Sequence, residues 1–254
     1  VEGGHALENS LDNLRLLHAR GVRYRTLTWN NGNDWADACC SPPRHGGLTD
    51  FGREVVRELN RLGILVDVSH ASDATVAAVL ETSAAPVIAS HSAARALARH
   101  PRNLTDAQVR AIARSGGVVG VNFYSAFLDA RFAAAVEAID REAAALERRL
   151  AASAGPGPAR EEARAWRRAR IAALDPVPLD TLLDHIDHLV RVAGPDHVGL
   201  GSDFDGVAAL PAGIRDAADL PRITDGLLRR GHRAEDVEKI LGLNWLRVLR
   251  EVAG

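Results

Sequence analysis

Residues 48–70 read LTDFGREVVRELNRLGILVDVSH, and the two halves of this stretch carry different patterns. From Phe51 to Leu62, Val55, Val56, Leu59 and Leu62 fall on one face of a helix, and Gly63 stands where a terminator belongs. Ile64–His70 (ILVDVSH) is rich in Val, Ile and Leu without strict alternation, as a parallel strand covered on both faces is. The run then closes on the polar pair Ser69-His70. Helix, stop, buried strand and polar end form the repeating unit of a parallel α/β sheet.

The same unit recurs on either side. Strand-type runs are Tyr24–Trp29 (YRTLTW), Pro86–His91 (PVIASH), Gly117–Phe123 (GVVGVNF) and His197–Asp203 (HVGLGSD). Helical patterns cover Leu7–Ala19, Ser72–Glu81 and Ala107–Ser115, the last opened by a capping box at Thr105-Asp-Ala-Gln108. Ala234–Leu241 and Asn244–Val252 follow the last strand as helices. Residues 127–178, rich in Ala, Arg and Glu and broken by Gly155-Pro-Gly-Pro158, read as two exposed helices without a chemical role. The strand runs end in Thr28-Trp29-Asn30, Ser69-His70, Ser90-His91, Asn122 and Ser202-Asp203, and barrel enzymes keep their chemistry at that face. No glycine-rich phosphate loop follows the first strand, which argues against a dinucleotide-binding sheet. The pattern predicts an α/β chain of the TIM-type (β/α)8 barrel class, one domain over residues 1–254 with a helical insertion at 127–178.

Composition narrows the partners. A chain of 254 residues, 46% apolar, fills a sizeable core, and a formal charge of −2 offers nucleic acid no basic surface. Lys239 is the only lysine, a bias we attribute to GC-rich coding and not to phosphate binding. No transmembrane run and no signal peptide is visible, and the compartment stays open between cytoplasmic and exported. Cys39 and Cys40 are adjacent, match no metal clip or disulfide framework, and read as ordinary loop thiols.

His70 and His91 end successive strand runs. Neighbouring parallel strands lie about 4.8 Å apart, so two such side chains can share one ion whose nitrogen ligands stand at about 2.0–2.1 Å. Asp203, in Gly-Ser-Asp-Phe-Asp-Gly at 201–206, suits a metal ligand or a proton acceptor, whereas Asp205 reads as a turn residue. Glu2 and His5 are uninformative alone. Asp184-His-Ile-Asp-His188 looks metal-like but lies on a helical pattern, Thr181–Val192, whose apolar face is Leu182, Leu183, Ile186, Leu189 and Val190. Its acids and histidines are expected on the outer surface. No G-x-S-x-G elbow supports a serine nucleophile.

With VEGGH (1–5), YRTLTW (24–29), WAD (35–37), residues 48–70, PVIASHSAARAL (86–97), RNLTD (102–106), VNFYS (121–125), DHIDH (184–188), VGLGSDFDGV (198–207) and LGLNWLRVL (241–249), the chain resembles the renal (membrane) dipeptidase family. These are zinc metallopeptidases on an amidohydrolase-like barrel. The resemblance implies a bridging glutamate shared by two zinc ions at Glu2, the two histidines of one zinc at His70 and His91, a carboxylate-holding arginine at Arg102, and an aspartate beside the bridging water, accepting and donating its proton, at Asp203. It implies a zinc-dependent hydrolase of dipeptides or similar small amides, with a homodimer as one oligomeric option.

Two departures stand out. The family's other zinc is held by a His-x-Asp motif ending the first barrel strand, and none precedes Glu2 here. Counting backward, Glu2 would close the third strand, so the sequence reads as a barrel lacking its first strands, expected to hold at most one Zn2+ tightly and to be weakly active or inactive alone. Secondly, Trp29 stands where the family usually has a substrate-touching histidine, although bacterial relatives share the TLTWNN pattern. Tryptophan can donate one hydrogen bond but not act as an acid. Two alternatives therefore stay open: hydrolysis of a non-peptide substrate on the same fold, and a non-catalytic barrel scaffold.

Overall fold

The computed structural model describes residues 1–254, the side chain of residue 154 apart. Helix α1 (Leu11–Ala19) precedes β1 (Tyr24–Thr26); then α2 (Asp50–Leu62) leads into β2 (Leu65–Asp67), α3 (Asp73–Thr82) into β3 (Val87–Ser92), and α4 (Asp106–Arg114) into β4 (Val119–Asn122). The insertion comprises α5 (Ser125–Leu128), α6 (Ala130–Ala154) and α7 (Pro156–Ala172). After it come α8 (Leu179–Ala193), β5 (Val198–Gly201), α9 (Pro221–Arg229), α10 (Ala234–Glu238) and α11 (Asn244–Ala253). Among the described residues no helix is long and apolar enough to cross a membrane.

All strand pairs are parallel and the order is β1-β2-β3-β4-β5, a sheet left open and not closed on itself. Beside β1 lies the segment carrying Glu2: the Thr26 N–H donates to Val1 O at 3.1 Å and the Gly4 N–H to Leu27 O at 3.0 Å. Side chains alternate between two cores, as the strand period of two requires. Val66, Val87, Val119 and Val121 face the large core built with α2, α3, α4 and α8, while Leu65, Ile88 and Val118 pack on Val248 and Trp245 of α11. Each such buried side chain contributes about 1.5–3 kcal/mol.

Local chemistry sets the ends of the elements. Thr49 Oγ1 accepts from the Gly52 N–H at 3.2 Å to start α2, and Gly63 ends it at φ 69°, where a Cβ would lie 2.8 Å from Val252 O. The predicted capping box on α4 is present. Helix α1 starts at Leu11 and not at Leu7, because Glu8 and Asn9 turn left-handed (φ 49° and 56°) and Ser10 caps the helix by accepting from the Asn13 N–H. Most strands are shorter than their sequence patterns. Trp29, His70 and Asp203 therefore lie in loops just past β1, β2 and β5, and only His91 sits within its strand.

Two expectations need correction. His185 is fully buried and not on an outer surface. Its Nδ1 accepts from the Ala94 N–H at 3.1 Å and its Nε2–H donates to Leu128 O at 3.0 Å, tying α8 to the loop after β3 and to the insertion. Asp184 and Asp187 do stay near the surface, where both clasp Arg230 at 2.7 Å. The insertion is not simply a solvated hairpin, since Phe132, Val136 and Ile139 of α6 are buried in the large core.

Candidate functional site

The loops after β1, β2 and β5 and the end of β3 converge with Glu2 on one mouth of the sheet. Glu2 Oε1 lies 3.0 Å from His70 Nε2 and 3.2 Å from His91 Nε2, and the two nitrogens are 3.0 Å apart. Tetrahedral ligands at about 2.0–2.1 Å from one ion stand roughly 3.3 Å from each other, so this triangle has the dimensions of three ligands of one cation. The donor set also fits, being two imidazoles and a carboxylate. Among the described residues these three form the one group of His, Cys, Asp or Glu with such convergence.

The electrostatics favour ligand-competent forms. Contact with His70, and then with His91, holds the Glu2 carboxyl well below its usual range, against the opposing effect of partial burial. Burial pushes His70 below the usual histidine range, more than Glu2 raises it, and so favours the neutral ring. Two side chains adopt left-handed backbone here, His70 at φ 68° and Asp203 at φ 57°. The only other such non-glycine residues among those described are Glu8 and Asn9, in the turn before α1. Strain of this kind concentrates where a side chain must be aimed.

Asp203 shares with Glu2 the walls of two adjoining clefts, one with His70 and one with His91. The Asn122 Nδ2 amide donates to its Oδ2 at 3.2 Å. Trp29 is half exposed and lines the larger cleft, of about 530 Å³, together with Arg102, Tyr124, Phe127 and Arg167. Arg102 is 4% exposed. Its Nη2 donates to His91 O at 3.1 Å, its guanidinium lies 5.3 Å over the Phe127 ring, and its Nε and Nη1 have no partner. No carboxylate of the chain pairs with it within ion-pair distance among the described residues. His100, pushed down to about 4 by burial, then by Arg102 and Arg95, is neutral and accepts the Arg102 backbone N–H at 3.1 Å. A buried cation with idle donors is costly unless an anion reaches it.

The structure thus brings together Glu2, His70 and His91, with Asp203, Arg102 and Trp29 around them. Sequence reasoning missed Asp67, Ser90 and Asn30 behind the histidines, and Phe127 and Arg167 in the wall. Asn30 and Ser90 did carry a signal, as polar residues at strand-run ends, but Arg167 carried none.

A parallel α/β sheet with two histidines and a glutamate converging at its C-terminal mouth is the arrangement of the metal-dependent barrel-hydrolase class. The chain belongs to the membrane dipeptidase family, peptidase family M19, whose sequence pattern matches residues 1–254. It is similar to the probable dipeptidase PvdM from Pseudomonas aeruginosa at 31% identity and TM-score 0.85, over 100% of this chain and 68% of that one. A metallopeptidase from Rhodobacter sphaeroides, solved with a phosphinate mimic of the dipeptide L-Ala-D-Ala, matches at 30% identity and TM-score 0.77, over 99% of this chain and 62% of that one. The chain therefore spans about two thirds of the length of these relatives, 68% and 62%. The fold is the α/β barrel type of the family, with five of its strands described here.

Proposed function

We propose that this chain carries part of the active site of a zinc-dependent hydrolase that cleaves dipeptides or similar small amides. The observation that carries the reading is the Glu2–His70–His91 triangle at the sheet mouth. Glu2, His70 and His91 would hold the metal, with Glu2 available to bridge to a second ion in the complete protein. A divalent ion bound there polarises a carbonyl and makes water a nucleophile at neutral pH. The chain's own residues do the rest. Arg102, in the cleft wall and with guanidinium donors left unpartnered, would hold the free carboxylate of a short substrate. Asp203, steadied by Asn122, accepts a proton from the attacking water and returns it to the leaving amine. Trp29 offers an indole N–H and an apolar plate at the cleft edge. Phe127 and Tyr124 limit the length of what enters.

The half-exposed Trp29, where the family usually has a histidine, favours a second reading in which the scissile bond is not a peptide. One experiment separates the two. The full-length gene product is loaded with zinc, its metal content is measured, and it is assayed on L,L- and L,D-dipeptides beside lactones and non-peptide amides. Amino-acid release from dipeptides is expected. Turnover of only the other compounds selects the second reading, and no turnover with metal bound rejects both.

A further inference from the structure

The Nε2 atoms of His70 and His91 face each other at 3.0 Å, and what each carries is decided on the far side of its ring. Behind His91 lies Asp67, the last residue of β2 and fully buried. Its Oδ1 accepts the backbone N–H groups of Ser69 at 3.0 Å and Ser90 at 2.8 Å. Its Oδ2 accepts the hydroxyls of Thr26 and Ser90, both at 2.6 Å. Four donors converge on one carboxylate, which in its ionised form can only accept. The single hydroxyl proton of Ser90 is therefore committed to Asp67. Ser90 Oγ also lies 2.7 Å from His91 Nδ1, and the only donor left for that contact is Nδ1–H. His91 is then the tautomer with its lone pair on Nε2. Asn30 acts alike on the other ring: its Oδ1, an acceptor, lies 3.1 Å from His70 Nδ1. The Ser69 hydroxyl completes the support by accepting the His91 N–H at 2.9 Å.

We infer that Asp67 and Ser90 form a positioning relay that fixes His91 as the Nδ1–H tautomer, so that Nε2 is ready as a ligand before any cation arrives. This deepens the metal-site reading and rests on it. Asp67 and Ser90 act through the imidazole of His91. Free neutral histidine favours the opposite, Nε2–H, form, so the relay reverses an intrinsic preference at the one ring held within a strand. Outer partners of this kind are worth about 10–100-fold in metal affinity.

The test reads the tautomer directly and without metal. In 15N-histidine-labelled apo protein, long-range 1H–15N correlation above the histidine titration range is expected to report His91 as Nδ1–H. His185 is the internal fold control, since its contacts demand the Nε2–H form. Ser90→Ala is expected to move His91 toward Nε2–H with His185 unchanged, and to weaken zinc or cobalt binding, measured by chelator competition, about 10–100-fold. Ser90→Thr, which keeps the hydroxyl, is expected to restore both. Should Ser90→Ala disturb His185, the near-isosteric Ser90→Cys, a weak donor and acceptor, must move His91 the same way. An unchanged His91 tautomer in the variant that keeps the His185 signature overturns the relay. Wild-type protein that shows the Nδ1–H form yet takes up no metal overturns the metal reading and leaves the relay standing.

Discussion

Arg102 and Asp203 flank the same cleft, and the roles proposed for them are expected to separate in kinetics. Arg102→Met removes the two idle donors together with the Nη2 bond to His91 O, and keeps all three side chains of the ligand triangle. A charge-assisted bond contributes about 1.5–3 kcal/mol, so KM for dipeptides is expected to rise roughly 10–100-fold with a smaller change in kcat. A variant with unchanged KM would detach Arg102 from the substrate carboxylate. Asp203→Asn keeps the contact shape but cannot take a proton. Its kcat is expected to fall about 10²–10⁴-fold, the usual reach of acid–base catalysis, while zinc affinity by chelator competition stays within a few-fold. Parallel loss of metal would make Asp203 a ligand instead. At this scale, legibility followed position. His70 and His91 could be read because each closes a strand run one βα unit from the other. Glu2 and Arg102 became candidates only through family resemblance, since an isolated acid or arginine carries no periodicity. Asp67 stayed hidden inside a run read as apolar, because its four donors come from β1, the loop after β2, and β3.

Strands and helices were legible where a local rule fixes them, as with the capping box of α4 and the glycine stop of α2. They were misjudged where tertiary contact decides, as with the buried His185 on α8. Close approach of β3, β4 and β5 sets a second kind of constraint. A Cβ at Gly201 would lie 2.1 Å from Ser90 O and 3.0 Å from the His91 Cα. Gly201→Ala is expected to cost about 1–3 kcal/mol in chemical denaturation and to weaken metal binding by displacing His91; normal binding would mean that β5 yields instead. Helices α1 and α2 are lashed by Glu58, whose side chain is 9% exposed between Arg15 at 2.8 Å and Arg61 at 2.7 Å. Arg61 foremost, with Arg15, holds its carboxyl down to about 2 from an ordinary 4.5. A depressed acid stabilises fully above its unfolded value and loses that contribution as pH falls through the folded one. Glu58→Gln should thus melt lower than wild type at pH 7, with the gap narrowing between pH 4.5 and about 2. A gap independent of pH would assign the loss to packing.

In the molecule as a whole, the proposed cation ligands come from three places: the segment beside β1, the loop after β2, and β3. An ion joining them ties together parts of the chain that are far apart in sequence. At free metal 100-fold above Kd the stabilisation is about 2.7 kcal/mol, which for a domain this large is roughly 5–10 °C in melting temperature. Chelation followed by calorimetry is expected to show a drop of that size, reversed by zinc; an unmoved melting curve would mean the triangle stays empty. The insertion bears on this plan differently. Phe127 and Arg167 stand in the cleft wall, while the ligand triangle belongs to the sheet and its adjoining loops. On the proposed function, recognition and bond cleavage would rest on different stretches of sequence. Exchanging residues 127–172 between relatives would retune which molecules are accepted without rebuilding the machinery that hydrolyses them, a modular route by which one ancestral catalyst could diversify its diet.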